Sequence, residues 1–130
     1  MEKIKAYTDL EQSKKLAEIL PLESADMYWW SSGKRYYIES IDDGDFNERE
    51  GHVRAWSLAA LLQVLPLGIY DEFDNCDYEL EIDMIDKMPR YIRLGDIYHS
   101  QFPYDFEKDT LLDNIVESII WLNDNNYFEL

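Results

Sequence analysis

The sequence predicts an α+β fold, an antiparallel sheet of about four strands with three helices packed mainly on one face. Residues 78–84 alternate between apolar and acidic side chains, as a half-buried strand does. Aromatic and β-branched residues flank "SSG" at residues 31–33, which is typical of a β-hairpin. Two other stretches place apolar residues at helical spacing behind a capping signal. A chain of 130 residues fits one domain, predicted to span 1–130.

The first helix is predicted over residues 9–20. Thr8 followed by Glu11 has the form of a capping box, in which the hydroxyl accepts from the Glu11 amide while the carboxylate reaches back. Pro21 ends the apolar run because proline cannot continue a helix. The residues at helical spacing are Leu10, Leu16, Ala17 and Leu20.

The predicted hairpin carries a dense group of aromatic residues. A strand would place Trp29 on the opposite face from its neighbours Tyr28 and Trp30, and Tyr36 and Tyr37 repeat this arrangement on the paired strand. One face can enter the core, whereas the other is covered by helices or a second subunit, or is left for a partner. Exposed Trp and Tyr are favoured interface anchors, so these five residues are candidate interaction residues.

The middle of the chain is predicted as a loop followed by a helix. Residues 42–54 are polar, contain glycine and show no periodicity, which favours an exposed loop. Residues 55–66 are apolar nearly all round and consist of good helix formers, so this helix should be buried on most of its surface. Ser57 could cap the helix or lie inside it.

The stretch "DEFDNCDYELEIDMID", residues 71–86, contains eight acids and no base. Residues 71–77 are predicted to form a polar turn or loop. Residues 78–84 are predicted to form a strand with two different faces. The apolar face holds Tyr78, Leu80, Ile82 and Met84, and the acidic face holds Glu79, Glu81 and Asp83. The acidic face would meet either water or a basic partner.

A turn at residues 86–89 and a second strand over residues 90–102 follow. Arg90 and Arg93 lie on opposite faces of that strand by parity, so only one of them can meet the acidic face. The last helix is predicted over residues 110–124. Thr110 followed by Asp113 repeats the capping signal, and Leu111, Leu112, Ile115, Ile119 and Leu122 form an apolar stripe that ends before Asn125 and Asn126.

Composition limits the classes of function. Hydrophobic residues make up 46% of the chain and aromatic residues 15%, enough for a packed core. A formal charge of −16 disfavours direct binding to nucleic acid or to an anionic membrane. Cys76 is the only cysteine, which excludes an intramolecular disulfide and a multi-cysteine zinc site. The start of the chain lacks the apolar stretch of a signal peptide, so a cytoplasmic protein is predicted.

Neither a metal site nor a cofactor is predicted. Asp43, Asp45 and Asn47 match the first ligand positions of an EF-hand loop. Glu48 stands where the turn needs glycine and Arg54 where the motif needs a bidentate glutamate, which favours a solvated acidic loop. The carboxylates of residues 71–77 could hold a divalent ion weakly, and a solvated segment is favoured there too.

No catalytic residue is predicted. Cys76, His52, His99 and Ser100 supply nucleophiles and bases, but none lies in a recognisable local signature. With 28 acidic residues in the chain, carboxylate pairs arise by chance and carry almost no information. A small enzyme stays an alternative, and its mark would be a pocket that gathers His99 or His52 with carboxylates of shifted pKa.

Three stretches resemble a family of small uncharacterised proteins from gut Bacteroidetes that are often associated with phage or other mobile elements. They are "QSKKLAEILPLESADMYWW", "AWSLAALLQVLP" and "NIVESIIWLNDNN". The resemblance implies a bacterial cytoplasmic setting and a non-enzymatic accessory role, and it assigns no functional residue.

The sequence favours a non-catalytic module that binds another protein, or a second copy of itself, through the aromatic hairpin or the acidic strand face. An acidic DNA mimic that inhibits a DNA-binding or defence enzyme is the first alternative. Glu79, Glu81 and Asp83 recur about every 6.5–7 Å along a strand, close to the spacing of phosphates along DNA.

Overall fold

The computed structural model describes residues 4–42, 44–72, 75–93, 101–102, 106 and 108–128. These residues confirm the α+β class, with three α-helices and strands that pair antiparallel. The helices are α1 (Leu10–Ala17), α2 (Leu58–Val64) and α3 (Leu111–Asp124). The strands are β1 (Met27–Ser32), β2 (Arg35–Ser40), β3 (Val53–Ala55), β4 (Gly68–Asp71), β5 (Cys76–Asp83), β6 (Met88–Arg93) and β7 (Gln101–Phe102).

The prediction of one sheet of about four strands is wrong, because the strands form two sheets. Their orders are β2-β1-β3 and β4-β5-β6-β7. The chain divides into two compact units, one of Lys5–Val64 and one of Leu65–Glu129 with Met1–Ile4. We call the first the hairpin unit and the second the acidic unit. The predicted single domain over 1–130 stays a prediction.

In the hairpin unit, α1 begins one residue later than its capping signal suggests. Asp9, and not Thr8, is the N-cap, and it exchanges hydrogen bonds with Gln12 in a capping box. The Thr8 hydroxyl is buried instead, where it lies 2.7 Å from the Ser13 hydroxyl and accepts from the Trp56 amide at 3.1 Å. The local sequence pattern assigns Thr8 to the helix cap, but its side chain instead forms long-range hydrogen bonds with buried groups.

The predicted hairpin is confirmed. Ser32 pairs with Arg35 across a two-residue turn, and Gly33 has a φ of +65°, a conformation that glycine adopts without strain. The prediction of a continuous loop over 42–54 is wrong at its end, because Val53–Ala55 form β3 against β1. Three residues are too few to show a strand period in the sequence.

Helix α2 is shorter and more exposed than predicted. The Ser57 hydroxyl accepts from the Ala60 amide at 3.1 Å, so Ser57 caps the helix. Ala60 and Leu61 are buried, whereas Leu62 is 36% exposed and Gln63 is also exposed. The helix thus buries one face. The buried apolar residues of this unit include Leu16, Leu20, Ala25, Tyr28, Ala55, Trp56, Ala60 and Leu61.

In the acidic unit, the strand predicted over 78–84 is confirmed as part of β5, which begins at Cys76 and ends at Asp83. Met84 is 67% exposed and belongs to the following turn, so its assignment to the apolar face is wrong. That turn ends with Lys87 at a φ of +56°. Strand β4 was missed, because residues 68–71 combine glycine, tyrosine and aspartate without a clear alternation.

The single strand predicted over 90–102 is wrong. Residues 88–93 form β6, and Gln101 and Phe102 return beside it as β7, opposite Ile92 and Tyr91. In the register of β5 with β6, Glu81 lies opposite Arg90 and Tyr78 lies opposite Arg93. Arg90 is therefore the arginine that meets the acidic face.

The capping signal of α3 is confirmed, since the Thr110 hydroxyl accepts from the Asp113 amide at 3.1 Å. The apolar stripe is buried at Leu112, Ile115, Ile119 and Leu122. The buried Asn114 side chain donates to the Lys87 carbonyl at 2.7 Å and so joins α3 to the β5–β6 turn. None of the helices within the described residues combines the length and the hydropathy that crossing a membrane requires.

Candidate interaction surface

The pairing of β1 with β2 assigns the aromatic residues to two faces. Side chains directly opposite each other in an antiparallel pair share a face. Trp30 lies opposite Tyr37, and Trp29 lies opposite Ile38. We call the face with Trp30 and Tyr37 the Tyr28 face, because Tyr28 shares it two residues earlier. The other is the Trp29 face, which includes Tyr36.

Tyr28 is a core residue. It is 2% exposed, and its hydroxyl donates to Glu39 Oε2 at 2.9 Å. Its ring stacks on the His52 ring at 5.1 Å and meets the edge of Phe46 at 5.5 Å. Burial, and then the hydrogen bond and charge of Glu39, raise the pKa of Tyr28 above its ordinary value. The predicted interaction residue Tyr28 therefore lies within the fold and is not presented to a partner.

Residues 44–54 fold over the Tyr28 face. A Cβ atom at Gly44 would overlap the Tyr28 hydroxyl, so the backbone approaches that group as only glycine allows. The Arg54 guanidinium lies 4.5 Å from the centre of the Phe46 ring and its Nε donates to Glu48 at 3.1 Å. The exposure predicted here is confirmed for Asp45 and residues 47–51, whereas Phe46 and His52 are half-buried against Tyr28, so the segment also covers the hairpin.

Trp30 and Tyr37 form a stacked pair beyond this cover. Their ring centroids are 4.7 Å apart with an interplanar angle of 27°. Tyr37 is 41% exposed, and the buried Trp30 Nε1 finds no acceptor among the described residues. A buried donor without a partner costs about 1–3 kcal/mol. The stacked pair thus presents a tyrosine ring and encloses an indole N–H that the hairpin unit leaves unsatisfied.

On the Trp29 face, Trp29 is tied to its own unit. Its Nε1 donates to the Thr8 carbonyl at 3.0 Å and its ring meets the edge of Tyr7 at 5.7 Å. Tyr36 is 54% exposed and lies two residues from the half-buried Ile38. Among the five predicted aromatic residues, Tyr36 and Tyr37 are therefore the two that are most exposed.

The three residues of the predicted acidic row on β5, Glu79, Glu81 and Asp83, have different environments. Glu79 and Glu81 are exposed, whereas Asp83 is engaged with Arg90, whose Nη1 donates to its Oδ2 at 2.7 Å. The Asp86 amide, most of all, and also the Ile85 amide and Arg90, lower the pKa of Asp83 against the effect of burial, which raises it. Asp83 holds the β5–β6 turn, so it is not free to face a partner.

The groups considered for metal binding or catalysis are dispersed. Within the described ranges, no cluster of three or more His, Cys, Asp or Glu side chains could hold a metal ion. Asn47 caps a short 3₁₀ turn and its amide donates to His52 Nδ1 at 3.0 Å. Cys76 is half-buried at the start of β5. Asp43, Asp74, His99 and Ser100 lie outside the described residues.

The hairpin unit also has an open cleft of about 590 Å³. It is lined by Pro21, Glu23, Ser24, Ala25, Asp26, Ala59, Ala60, Gln63 and Val64. Asp26 accepts from the Ser57 amide at 2.8 Å and the Ser57 hydroxyl, and so supports the cap of α2. The cleft does not gather His52 with carboxylates, and an absence of catalysis stays a prediction.

Comparison of the chain with protein-family models, with curated proteins and with solved structures found no match. The resemblance to gut Bacteroidetes proteins stays a prediction.

Sequence reasoning missed the cover formed by residues 44–54, although a signal was present. Phe46, His52 and Val53 are the apolar or aromatic residues in a polar segment, and such residues favour packing over exposure.

Proposed function

We propose that the protein is a non-catalytic protein-interaction module, of the accessory kind carried by bacterial mobile elements. It binds its partner through the end of the hairpin that Tyr36 and Tyr37 share. The observation that carries this proposal is the exposure of these two neighbouring tyrosines, 54% and 41%, on opposite faces of one strand. Tyrosine supplies a large amphipathic contact area with few rotatable bonds, which is why it is enriched at interfaces.

The hairpin supports Tyr37 and the base of β2 through side-chain contacts. Tyr37 stacks on Trp30 at 4.7 Å, and the Tyr28 hydroxyl anchors the base of β2 through Glu39 at 2.9 Å. A preorganised surface loses less conformational entropy when a partner binds. The Tyr37 ring is thus held against Trp30 before binding, as an anchor requires.

The test is affinity purification from the native host followed by mass spectrometry. We expect the double variant Tyr36→Ala/Tyr37→Ala to lose partners that the wild type retains. Tyr70→Ala is the matched control, because Tyr70 is a 48% exposed tyrosine on β4 of the acidic unit. Identical partner sets for the wild type and the double variant would contradict the proposal.

A second candidate function is the acidic DNA mimic. Its support is the exposure of Glu79 and Glu81 on one face of β5, in a segment, Leu65–Glu129, with sixteen acidic and four basic residues. Carboxylates two residues apart on a strand lie about 6.5–7 Å apart. If this function is correct, a DNA-binding protein is captured, free DNA displaces it, and Glu79→Gln/Glu81→Gln releases it while Tyr36→Ala/Tyr37→Ala does not.

A further inference from the structure

We infer that β2 is an open sheet edge that pairs antiparallel with β2 of a second copy of this chain, about a two-fold axis through Tyr37. The inference rests on the proposed function, because it names the partner of the same hairpin. Three properties of β2 support this pairing: the direction of its main-chain hydrogen-bonding groups, the exposure of its residues and the self-complementarity of its side chains.

The hydrogen-bond phase follows from the pairing of β1 with β2. In an antiparallel pair, hydrogen-bonded and non-hydrogen-bonded residue pairs alternate. The Ile41 amide donates to the Asp26 carbonyl at 3.0 Å, which makes their pair a hydrogen-bonded one. By alternation, the main-chain groups of Arg35, Tyr37 and Glu39 point towards β1. Those of the intervening residues Tyr36 and Ile38 point away from β1, towards the outer edge.

This outer edge is unoccupied over most of its length within the described residues. Strand β2 is the last strand of the order β2-β1-β3, so no strand follows it on that side. Arg35, Tyr36 and Tyr37 are all exposed. The Ser40 carbonyl accepts from the Gly44 amide at 3.1 Å, which closes the edge at that end. The open part therefore runs from Arg35 to Glu39, with Tyr37 at its centre.

A two-fold axis through Tyr37 matches this edge to itself. Tyr36 of one copy then lies opposite Ile38 of the other, and both expose their main-chain groups, so each such pair exchanges two hydrogen bonds. The symmetry repeats that pair on the other side of the axis. The result joins the two three-stranded sheets through β2, and the unpaired groups of both edges are satisfied.

The side chains agree with the same register. On the Trp29 face, Tyr36 meets Ile38 of the second copy, an aromatic pair with a β-branched residue. On the Tyr28 face, Arg35 meets Glu39 of the second copy, and Tyr37 meets Tyr37 on the axis. Arg35 and Glu39 are both exposed, and the Glu39 Oε2 atom also accepts from the Tyr28 hydroxyl of its own chain. Each cross-strand pair is therefore of a favourable type.

In neighbouring registers, the cross-strand pairs between the two copies are less favourable. An axis through Arg35 or through Glu39 would place like charges opposite each other, which is destabilising. An axis through Ile38 would place Tyr36 opposite Ser40, whose carbonyl already accepts from Gly44. The axis through Tyr37 is the one that sets Arg35 opposite Glu39, so charge complementarity selects a second copy in a defined register.

The charge of the whole chain opposes association, which makes the test sensitive to salt. Two copies at −16 repel each other, and physiological salt screens this repulsion over about 8 Å. Within Lys5–Val64 the balance is eleven acidic against seven basic residues, much closer to neutral than the acidic unit. The hairpin unit thus carries the smaller part of the repulsion.

The first test is a charge exchange measured by sedimentation velocity from micromolar to millimolar chain concentration. Arg35→Glu alone and Glu39→Arg alone each place like charges opposite one another in the self-pair. Because Glu39→Arg also removes the acceptor of the Tyr28 hydroxyl, the far-ultraviolet circular dichroism spectrum of each variant is compared with that of the wild type. We expect each to weaken self-association by about tenfold. An equimolar mixture of the two variants restores opposite charges at both positions, so we expect it to associate within about threefold of the wild type. A mixture no tighter than either variant alone would overturn the inference.

A second variant separates loss of pairing from loss of folding. Ile38→Pro removes an N–H that points away from β1, so the hairpin keeps its own hydrogen bonds while the outer edge is blocked. Ile38→Val is the matched control. We expect Ile38→Pro to be monomeric with an unchanged far-ultraviolet circular dichroism spectrum, and Ile38→Val to associate like the wild type. Self-association that survives Ile38→Pro in the folded protein would overturn the inference.

The outcomes also distinguish this inference from the proposed function. A wild-type chain that stays monomeric to millimolar concentration, yet captures another protein through Tyr36 and Tyr37, overturns the dimer and leaves the interaction module standing. A chain that pairs through β2 but captures the same partners with and without these tyrosines leaves the dimer standing. In that case the proposed binding of a different protein through the hairpin fails.

Discussion

The hairpin unit and the acidic unit both combine an antiparallel sheet with helices, but they present different chemistry at their surfaces. In the hairpin unit, β2 exposes the rings of Tyr36 and Tyr37. In the acidic unit, β5 exposes the carboxylates of Glu79 and Glu81. Leu65–Glu129 has a formal charge of −12 and Lys5–Val64 one of −4. The charge of −16 is therefore chiefly a property of one unit, and it says little about the hairpin surface.

The two units also use their buried polar groups differently. In the hairpin unit, buried Thr8 and Ser13 hydroxyls join α1 to the segment before α2. In the acidic unit, buried Asn114 joins α3 to the β5–β6 turn. Each unit thus fixes its helix through a hydrogen-bonded side chain, and each has a core that can be tested separately.

The largest expected effect on the free energy of unfolding comes from removing a large buried side chain from the core of one unit at a time. Trp56 is fully buried in the hairpin unit, where its Nε1 donates to the Ser24 hydroxyl at 2.9 Å. Trp56→Ala should lower the free energy of unfolding by about 3–5 kcal/mol, measured by urea denaturation. Ile119→Ala in the acidic unit removes a buried side chain of α3 and should cost about 2–5 kcal/mol.

These two variants also test whether the chain is one domain. If it is, fluorescence and far-ultraviolet circular dichroism report one coincident transition, and each substitution shifts that transition as a whole. Separate midpoints, with Trp56→Ala moving one and Ile119→Ala the other, would show that the two compact units unfold independently. That result would contradict the single domain over 1–130.

The next effect concerns the cover over the Tyr28 face. Gly44→Ala adds a Cβ that overlaps the Tyr28 hydroxyl and the Glu39 carboxylate, and overpacking of this kind costs about 1–3 kcal/mol. Tyr28→Phe removes the overlapping oxygen, so in the Gly44→Ala background it should recover part of the loss. Urea denaturation of the four chains of this cycle gives the coupling free energy. Additive effects would show that Gly44 does not approach Tyr28.

The sequence predicted those elements whose signals are local and periodic. The alternation along β5, the hairpin turn at Gly33 and the cap of α3 at Thr110 are all decided by neighbours in the chain. The division into two sheets was not predicted, because β3 and β4 are three and four residues long and depend on pairing with distant strands. Short strands are stabilised by their partners more than by their own composition.

The candidate surface was predicted only in part, because some of its contacts join residues that are distant in the chain. The alternation of side chains along a strand predicted that Trp29 lies on the other face of the hairpin from Tyr28 and Trp30, and the register confirms this. It could not decide which face residues 44–54 cover, because that depends on the contact of Phe46 and His52 with Tyr28. Nor could it show that Asp83 is held by Arg90, since seven residues and a turn separate them.

The pH dependence of stability should have opposite signs at two positions, one in each unit. The folded pKa of Asp83 is lowered, so its contribution to stability is present above its unfolded pKa of about 3.9 and is lost as pH falls through the folded value. The folded pKa of Tyr28 is raised, so its contribution is present below about pH 10 and is lost as pH rises through the folded value.

Substitution separates these two dependences. Unfolding free energies of the wild type and of Asp83→Asn should converge at acid pH, and those of the wild type and of Tyr28→Phe should converge at alkaline pH. Thermal unfolding across the pH range measures both differences. A constant difference between the wild type and Asp83→Asn down to the acid end would mean that Asp83 titrates normally in the folded chain.

The smallest expected effect tests whether the charge of the acidic unit opposes its own folding. Glu79 is exposed on β5 and lies opposite Ile92 and Gly68, so it has no basic residue directly across from it. Glu79→Lys changes the formal charge of Leu65–Glu129 from −12 to −10 and should raise the free energy of unfolding by at most about 0.5 kcal/mol. Because the effect is a relief of repulsion, it should shrink as salt is added.

Lys5→Glu is the matched charge reversal in the hairpin unit, where Lys5 forms an exposed ion pair with Asp9 at 3.2 Å. Its cost should also be small, since exposed ion pairs contribute about 0–1 kcal/mol. Urea denaturation of both variants at low and high salt gives the comparison. If Glu79→Lys destabilises the chain at low salt, Glu79 makes a favourable contact in the folded state, and repulsion within the acidic unit is not what limits its stability.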